Sequence, residues 1–287
     1  MRPARPDDFR LPDLRFVPVE SLVPHEEHDL QRMRPLIQGF REQAVLKNPP
    51  VVALLPGSPE DAPRFMVLDG ANRATAAREA GLPHLVVQVA RYEDPWVHLS
   101  TWHHALSEAT REDLLQSCKS IRGLECRDEA LLYARAQVAR REALAYAVHE
   151  GEAATVFRGG KTLEERNQLL NAIVDTYRES RRFYRMSTES FEVAKERHPD
   201  VRTLVVFPHF DPAEVVELAT SGARLPAGIT RHLIRWRALR VNVPMDKMRD
   251  TQLTLDQKNR WLETWLEEKW AQRQVRFYEE PTVLFDE

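Results

Sequence analysis

Three short groups of polar residues in the sequence combine side chains that could bind or transfer charge. The first, His25-Glu26-Glu27-His28, stands directly before a stretch with helical periodicity. Acidic side chains there would complement the positive end of a helix, which is one interpretation of the group. The other is that a carboxylate from this group acts as a general base or a metal ligand at the mouth of a cleft. Both interpretations are open from the residues alone.

The second group, Asp69-Gly70-Ala71-Asn72-Arg73, follows an apolar run and begins a predicted helix. A helix N-terminus presents backbone N–H groups and a partial positive charge, and Gly70 would let a ligand approach the backbone. Arg73 could donate two hydrogen bonds to one phosphate. The pattern fits an anion site, and it fits equally a helix capped by Asp69 that carries a surface arginine.

The third group is Thr230-Arg231-His232, which comes shortly after Pro226-Ala227-Gly228. A hydroxyl, a guanidinium and an imidazole in sequence could together donate hydrogen bonds to a phosphate or a carboxylate. The same residues also suit the basic start of a surface helix. Alone, this group has low specificity.

The elements that must position the first two groups form an alternating pattern. Apolar spacing and β-forming residues predict strands over 15–19, 51–55, 64–68 and 85–89, and helices over 29–43 and 70–80. The strand over 15–19 should lie at a sheet edge because Pro18 removes a ladder donor. Strands that alternate with helices indicate an α/β lobe over residues 1–94.

Predicted strands and helices continue to alternate after residue 94, which predicts a second α/β lobe over residues 95–243. Its predicted helices lie at 111–120, 128–141, 162–181 and 187–197, and its predicted strands at 97–101, 153–157 and 203–207. Asp211 and Pro212 are typical of the N-cap and first residue of another helix. Residues 244–287 are predicted to be a helical extension, whose tryptophan-bearing helix over 253–273 should serve packing.

The charge balance argues against a dedicated nucleic-acid-binding protein. The 287 residues include 41 lysines and arginines and 44 aspartates and glutamates, a formal net charge of -3, whereas such proteins usually carry a basic excess. No apolar run resembles a signal peptide or approaches the roughly 20 residues of a membrane helix. The 2 cysteines fit neither a zinc knuckle nor a disulfide framework. We expect a soluble, cytoplasmic protein.

In their order along the chain, the three groups resemble the motifs of the free serine kinases. The first lobe of those proteins is similar to the nucleotide-binding domain of ParB and to sulfiredoxin. Their Pro-His-Glu segment follows the first strand, an Asp-Gly-His-His-Arg segment starts the phosphate-binding helix, and Thr-Arg-His lies near the C-terminus. The matching residues here are Pro24-His25-Glu26, Asp69-Gly70-Ala71-Asn72-Arg73 and Thr230-Arg231-His232, within a resemblance that spans most of residues 14–240.

The resemblance implies an α/β (α+β) fold with a ParB/sulfiredoxin-like lobe, a second α/β lobe and a catalytic cleft between them. It also implies phosphoryl transfer from ATP or ADP to the hydroxyl of a free amino acid, with L-serine as the expected acceptor, a reaction that depends mostly on positioning and charge neutralisation.

The resemblance also assigns roles to individual residues. Glu26 and Asp69 would be the catalytic carboxylates, with Glu26 as the base, and either would touch a Mg²⁺ ion that bridges the phosphates. The nucleotide would lie on Gly70, Ala71, Asn72 and Arg73. The substrate or its phosphate would be held by Trp102, Thr230, Arg231 and His232.

Two departures from the family pattern bear on these roles. Ala71 and Asn72 replace the two histidines of the nucleotide motif, so nucleotide choice or affinity can differ. The family often has a lysine shortly before Thr-Arg-His, where this chain has Ala227-Gly228-Ile229. The acceptor can therefore differ from serine.

Three other functions compete with the kinase. The resemblance to ParB suggests a nucleotide-binding regulatory module with a DNA or protein partner, although the charge balance counts against it. A sulfiredoxin-like reductase would need a cysteine at the phosphate helix, where the chain has Ala71 and Asn72. An inactive relative that senses a metabolite is the third. We expect small-molecule partners, an amino acid and a nucleotide, without a membrane or nucleic acid.

Overall fold

Strands and helices alternate along most of the chain, as the sequence predicts. The structure, a computed structural model, describes residues 11–27, 30–93, 95–151, 154–179 and 182–278. The strands are β1 (Asp13–Pro18), β2 (Leu22–Pro24), β3 (Val45–Leu46), β4 (Val51–Leu54), β5 (Phe65–Asp69), β6 (His84–Val89), β7 (Val97–Thr101), β8 (His103–Ser107), β9 (Glu125–Glu129), β10 (Ala145–His149), β11 (Ala154–Arg158), β12 (Phe183–Met186), β13 (Val201–Val206), β14 (Thr230–Ile234) and β15 (Val243–Pro244). The helices are α1 (Leu30–Glu42), α2 (Ala71–Glu79), α3 (Arg111–Cys118), α4 (Leu131–Ala139), α5 (Leu163–Asp175), α6 (Phe191–Arg197), α7 (Pro212–Ser221), α8 (Met245–Arg249) and α9 (Leu255–Ala271), with a 3-10 helix at Val19–Ser21.

The first sheet contains five strands in the order β1-β6-β4-β5-β2. The predicted pair of strands over 51–55 and 64–68 forms the antiparallel hairpin β4–β5. In contrast, β2 pairs with β5 and β4 pairs with β6 in parallel, which requires crossover connections that include α1 and α2. β1 lies at the edge, which confirms the position predicted from Pro18.

The C-terminal helices pack on this first sheet. One buried cluster joins Phe16 of β1 with Met245 and Met248 of α8 and with Leu262 of α9. The side chain of Asn259 accepts a hydrogen bond from the Phe16 N–H at 2.8 Å and donates to the Phe16 carbonyl at 3.1 Å. The edge strand is therefore covered, because α9 satisfies backbone groups that would otherwise face solvent.

The second sheet contains six strands in the order β12-β8-β13-β10-β11-β9, all antiparallel to their neighbours. β13 lies in its middle, and Leu204, Val205 and Val206 are fully buried there, as an apolar strand predicts. Asp211 is the N-cap of α7 and Pro212 its first residue, which confirms that prediction. The division of the chain into parts 1–94, 95–243 and 244–287 stays a prediction.

The prediction that Asp69 caps the following helix is wrong. Asp69 ends β5, and Gly70 occupies the N-cap position of α2 with a φ of 91° and no capping side chain. The turn from strand to helix needs this left-handed backbone conformation, which glycine adopts without a steric penalty. The carboxylate of Asp69 is thereby left for other partners.

The prediction of a single helix over residues 128–141 is also wrong. The segment Glu125–Glu129 is strand β9, which pairs with β11 along its whole length, and α4 begins only at Leu131. The hydroxyl of Thr155 on β11 donates to the Asp128 carboxylate at 2.9 Å, which adds to the pairing. Contacts with a strand that comes later in the chain override the local helical preference.

The interpretation of residues 230–232 as the start of a helix is wrong as well. These residues begin strand β14, whose Thr230 pairs with Thr101 and whose His232 pairs with Leu99 on β7. The two strands are far apart in the sequence, so local patterns at 230–232 carry no sign of the pairing.

Some predicted boundaries fall on residues outside the described ranges. His28 of the first group lies there, as do Asp29, Ala153 and Arg181 at the ends of the predicted elements over 29–43, 153–157 and 162–181. Within the described ranges, no helix is long and apolar enough to cross a membrane.

Candidate active site

Glu26 lies after β2 at a junction with the second half of the chain. It forms a parallel bridge with Leu225, and the Leu225 N–H donates to the His25 carbonyl at 2.8 Å. One oxygen of the Glu26 carboxylate accepts from the Gly228 N–H at 2.8 Å, and the other accepts from the Thr230 N–H at 2.6 Å. The Thr230 hydroxyl is a third hydrogen-bonding partner of the carboxylate. The first and third predicted groups therefore meet directly.

His25 lies beneath this junction and is 3% exposed. Its Nδ1 is 2.5 Å from the Val67 carbonyl of β5, and its Nε2 is 2.8 Å from the Thr230 hydroxyl oxygen. Burial lowers the pKa of His25, against the opposing effect of the nearby Glu26, so the ring is neutral at physiological pH. A carbonyl only accepts, so Nδ1 carries the ring proton and Nε2 accepts.

The Thr230 hydroxyl consequently has one proton and two neighbouring acceptors, the His25 Nε2 and the Glu26 carboxylate. It can donate to only one of them at a time. The arrangement joins the half-buried Glu26 carboxylate to the buried, neutral His25 imidazole through a single hydroxyl.

The second predicted group lies at the end of β5. The Asp69 carboxylate accepts a hydrogen bond from Arg73 Nη2 at 2.8 Å and is also bonded by Arg237. Arg73 donates in addition to the Asn48 carbonyl at 2.5 Å. Gly70, Ala71 and Asn72 form the first turn of α2 beside this cluster. The two guanidinium groups place more positive than negative charge at the helix start, which is favourable for an anion.

Strand β14 divides the predicted group Thr230-Arg231-His232 between its two faces. Successive residues of a strand point in opposite directions, so Arg231 projects away from the face that carries Thr230 and His232. The Arg231 guanidinium lies over the Trp102 ring, with its carbon 4.4 Å from the ring centroid. Trp102 also donates its backbone N–H to the Ile229 carbonyl at 2.8 Å.

His232 faces His25, and the two imidazole rings meet edge to face with centroids 5.1 Å apart. Burial, with a smaller effect of His25, lowers the pKa of His232 to about 3. Burial raises the pKa of Tyr92, so its phenol stays protonated, and the phenol oxygen lies 3.0 Å from His232 Nε2. His232 is thus neutral and shares a hydrogen bond with the Tyr92 hydroxyl.

The structure connects the three predicted groups through direct contacts, except that Arg231 of the third group projects from the other face of β14 towards Trp102. Glu26 bonds Thr230, His25 joins Thr230 to β5, and β5 ends in Asp69 at the start of α2. Two further residues of this region carried no signal of their own in the sequence: Tyr92 and Arg237. Each is a single polar residue outside any motif, and only the fold shows which group it contacts.

The carboxylates of Glu26 and Asp69 suit a Mg²⁺ ion in chemical type, since both are oxygen donors. Among the described residues, no group of three or more histidines, cysteines, aspartates and glutamates could hold a metal ion by itself. Magnesium commonly takes one or two protein carboxylates and completes its shell with phosphates and water. The two carboxylates could therefore supply one or two of the ligands of a phosphate-bound Mg²⁺ ion, and the described residues build no metal cage of their own.

Comparison with solved structures identifies the fold. A free serine kinase in complex with AMP aligns with a TM-score of 0.70 and 19% identity, over 83% of this chain and 95% of that chain. The chain has the free serine kinase fold. The expected α/β fold class is thereby confirmed. A C-terminally truncated SbnI from Staphylococcus aureus has this fold too, with a TM-score of 0.66 and 21% identity over 90% of this chain and 97% of its own.

The chain is also similar in sequence to one curated protein. An ATP-dependent L-serine kinase of Staphylothermus marinus is 31% identical over 114 residues, which is 39% of this chain. The match spans 43% of the length of that relative. No protein-family model matches the chain.

Proposed function

We propose that the chain is a nucleotide-dependent kinase that phosphorylates the hydroxyl of a free amino acid, with L-serine as the acceptor. The observation that carries the proposal is the contact of Glu26 with Gly228 and Thr230. It joins the carboxylate to the region that also contains the start of α2. The L-serine kinase relative and the AMP-bound free serine kinase support the same reaction.

Glu26 is suited to act as the base on the acceptor hydroxyl. Two backbone N–H groups fix its two oxygens, and the Thr230 hydroxyl is a further partner. A carboxylate has about four lone-pair positions, which leaves room for the hydroxyl of a bound amino acid. A carboxylate that is already oriented needs no rearrangement before the proton is transferred.

The reaction step is a direct displacement. The acceptor oxygen forms a bond to the γ-phosphorus of ATP while the bond from that phosphorus to the β,γ-bridging oxygen breaks. The hydroxyl proton goes to Glu26, and ADP leaves with the electron pair of the broken bond. The proton on Glu26 is then released to solvent, so the products are the phosphoamino acid, ADP and a proton.

The start of α2 would bind the nucleotide phosphates in this proposal. Its backbone N–H groups and the guanidinium groups of Arg73 and Arg237 supply positive charge, and Gly70 has no side chain to obstruct the phosphates. A Mg²⁺ ion carried by the nucleotide and touched by Glu26 or Asp69 would neutralise phosphate charge. Thr230 and His232 would contribute one face of β14 to the acceptor side of the site, whereas Arg231, which lies over Trp102, projects from the other face.

The test is to incubate the purified chain with Mg²⁺ and ATP, or with ADP in a parallel assay, and a panel of free amino acids. We expect a mass increase of one phosphoryl group on L-serine. Glu26→Gln keeps the shape of the side chain and removes the base, so we expect a loss of kcat of about 10²-fold to 10⁴-fold. Glu27→Gln, at the neighbouring position, is the matched control and should keep full turnover.

Two results would contradict the proposal. Undiminished turnover in Glu26→Gln would remove Glu26 as the base. No phosphorylation of any amino acid, together with salt-dependent retention of DNA, would instead favour the nucleotide-binding regulatory module.

A further inference from the structure

Arg185 lies on β12, an edge strand of the second sheet. Its guanidinium is in contact with the α carbon of Gly228. A Cβ placed on Gly228 would lie 2.3 Å from both Nε and Nη2 of Arg185. The same Gly228 donates its N–H to Glu26 at 2.8 Å. One glycine therefore separates the Glu26 carboxylate from an arginine that is exposed to solvent.

The pairing of β12 with β8 fixes this placement. Arg185 lies opposite His104 in the ladder, so the two side chains share one face of the sheet. His104 Nε2 is 3.2 Å from the Gly228 carbonyl, while Arg185 covers the α carbon of the same residue. Burial, with a smaller effect of the charge of Arg185, lowers the pKa of His104 to about 3 against the opposing effect of the Gly228 carbonyl. Gly228 is therefore contacted by His104 at its carbonyl and by Arg185 at its α carbon.

We propose that Arg185 binds the carboxylate of the acceptor amino acid. This inference rests on the proposed function, because it assigns a substrate group within that site. A free amino acid carries a carboxylate whatever its side chain, and a guanidinium matches a carboxylate with two parallel hydrogen bonds. Anchored there, the amino acid would direct its hydroxyl towards Glu26 across Gly228.

The other arginines of the region are placed differently. Arg73 and Arg237 both bond Asp69 at the start of α2, which is the nucleotide end. Arg231 projects from the opposite face of β14 to Thr230 and lies over Trp102. Of these four arginines, Arg185 is the one whose guanidinium lies against Gly228, one of the two residues whose N–H groups orient Glu26.

Binding of L-serine and of L-serinamide, which lacks the carboxylate charge, distinguishes this role from a structural one. We expect Arg185→Gln to weaken L-serine binding about 10-fold to 100-fold in calorimetry, as the loss of a charge-assisted pair predicts. L-Serinamide binding and the KM for ATP should stay within about twofold. Arg185→Lys should recover part of the L-serine affinity. Arg182→Gln, which removes an exposed arginine just before β12, is the matched control.

A second variant tests the geometry without changing the charge. Gly228→Ala would push the guanidinium away, and it also strains a backbone φ of 74°. We expect the same selective loss of L-serine affinity, measured together with thermal stability to separate strain from binding. Equal losses for L-serine and L-serinamide in Arg185→Gln, or no loss for either, would overturn the inference, as would a wild-type protein that binds no amino acid. Charge-selective binding without turnover would overturn the kinase proposal alone.

Discussion

The Thr230 hydroxyl is the single group that connects Glu26 to the buried His25 in the candidate site. It lies between Glu26 and the buried, neutral His25, and it has one proton for the two acceptors. In the proposed reaction Glu26 takes a proton from the acceptor, and the carboxylate then no longer needs the Thr230 hydroxyl as a donor. The hydroxyl can then donate fully to His25, so its position stabilises both protonation states of Glu26.

Replacement of Thr230 by valine tests this arrangement. Thr230→Val keeps the shape of the side chain but leaves the buried His25 Nε2 without its partner, which should cost about 1–3 kcal/mol of unfolding free energy. We also expect kcat to fall while the KM for ATP stays unchanged. Thr230→Ser retains the hydroxyl and should recover most of both properties. Chemical denaturation and steady-state kinetics measure the two effects, and a serine variant no better than the valine variant would contradict the role of the hydroxyl.

The turn between β5 and α2 determines both the backbone path and the position of Arg73 at the start of the helix. Gly70 has a φ of 91°, and a Cβ there would lie 2.9 Å from Arg73 Nη2. The glycine thus permits the turn and also permits Arg73 to fold back onto Asp69. A side chain at this position would disturb both the backbone and the charge cluster.

Two glycine substitutions separate these effects. Gly70→Ala should cost about 1–3 kcal/mol of unfolding free energy through backbone strain and should raise the KM for ATP by displacing Arg73. Gly81 follows α2 with a φ of 75°, and a Cβ placed on it would meet no atom within 4 Å. Gly81→Ala should therefore show the strain without the change in KM. An equal rise in KM for both variants would mean that Arg73 does not serve the nucleotide.

For the molecule as a whole, buried histidines link stability to pH. Burial is the main cause that lowers the pKa of His103 and His149 to about 4 and that of His104 and His232 to about 3. Their unfolded pKa is about 6.5, so below this pH the unfolded chain binds protons that the folded chain does not. Stability is therefore fully present above pH 6.5 and is lost as the pH falls towards 4.

Urea denaturation from pH 7.5 to pH 4.5 measures this loss. We expect the slope to be smaller in His149→Gln, which removes one buried histidine that contacts Thr203 and Thr155, by up to about 1.4 kcal/mol per pH unit. His98→Gln changes an exposed histidine and should leave the slope unchanged. A denaturation midpoint that is constant across this range would contradict the linkage.

The sequence by itself determined the elements that depend on local signals. The apolar strand β13, the helix opened by Asp211 and Pro212 and the edge position of β1 each follow from neighbouring residues. Order and spacing of the three polar groups also pointed to the fold that the comparisons show. These features could be predicted because propensity and periodicity act over a few consecutive residues.

Only the tertiary structure decided which groups touch. The pairing of β14 with β7 turned an apparent helix start into a strand and divided its side chains between two faces. The contacts of Thr230 with Glu26, of Arg237 with Asp69 and of Arg185 with Gly228 all join segments that are distant in the chain. Such contacts depend on how the sheets assemble, and no local pattern at either partner specifies the other.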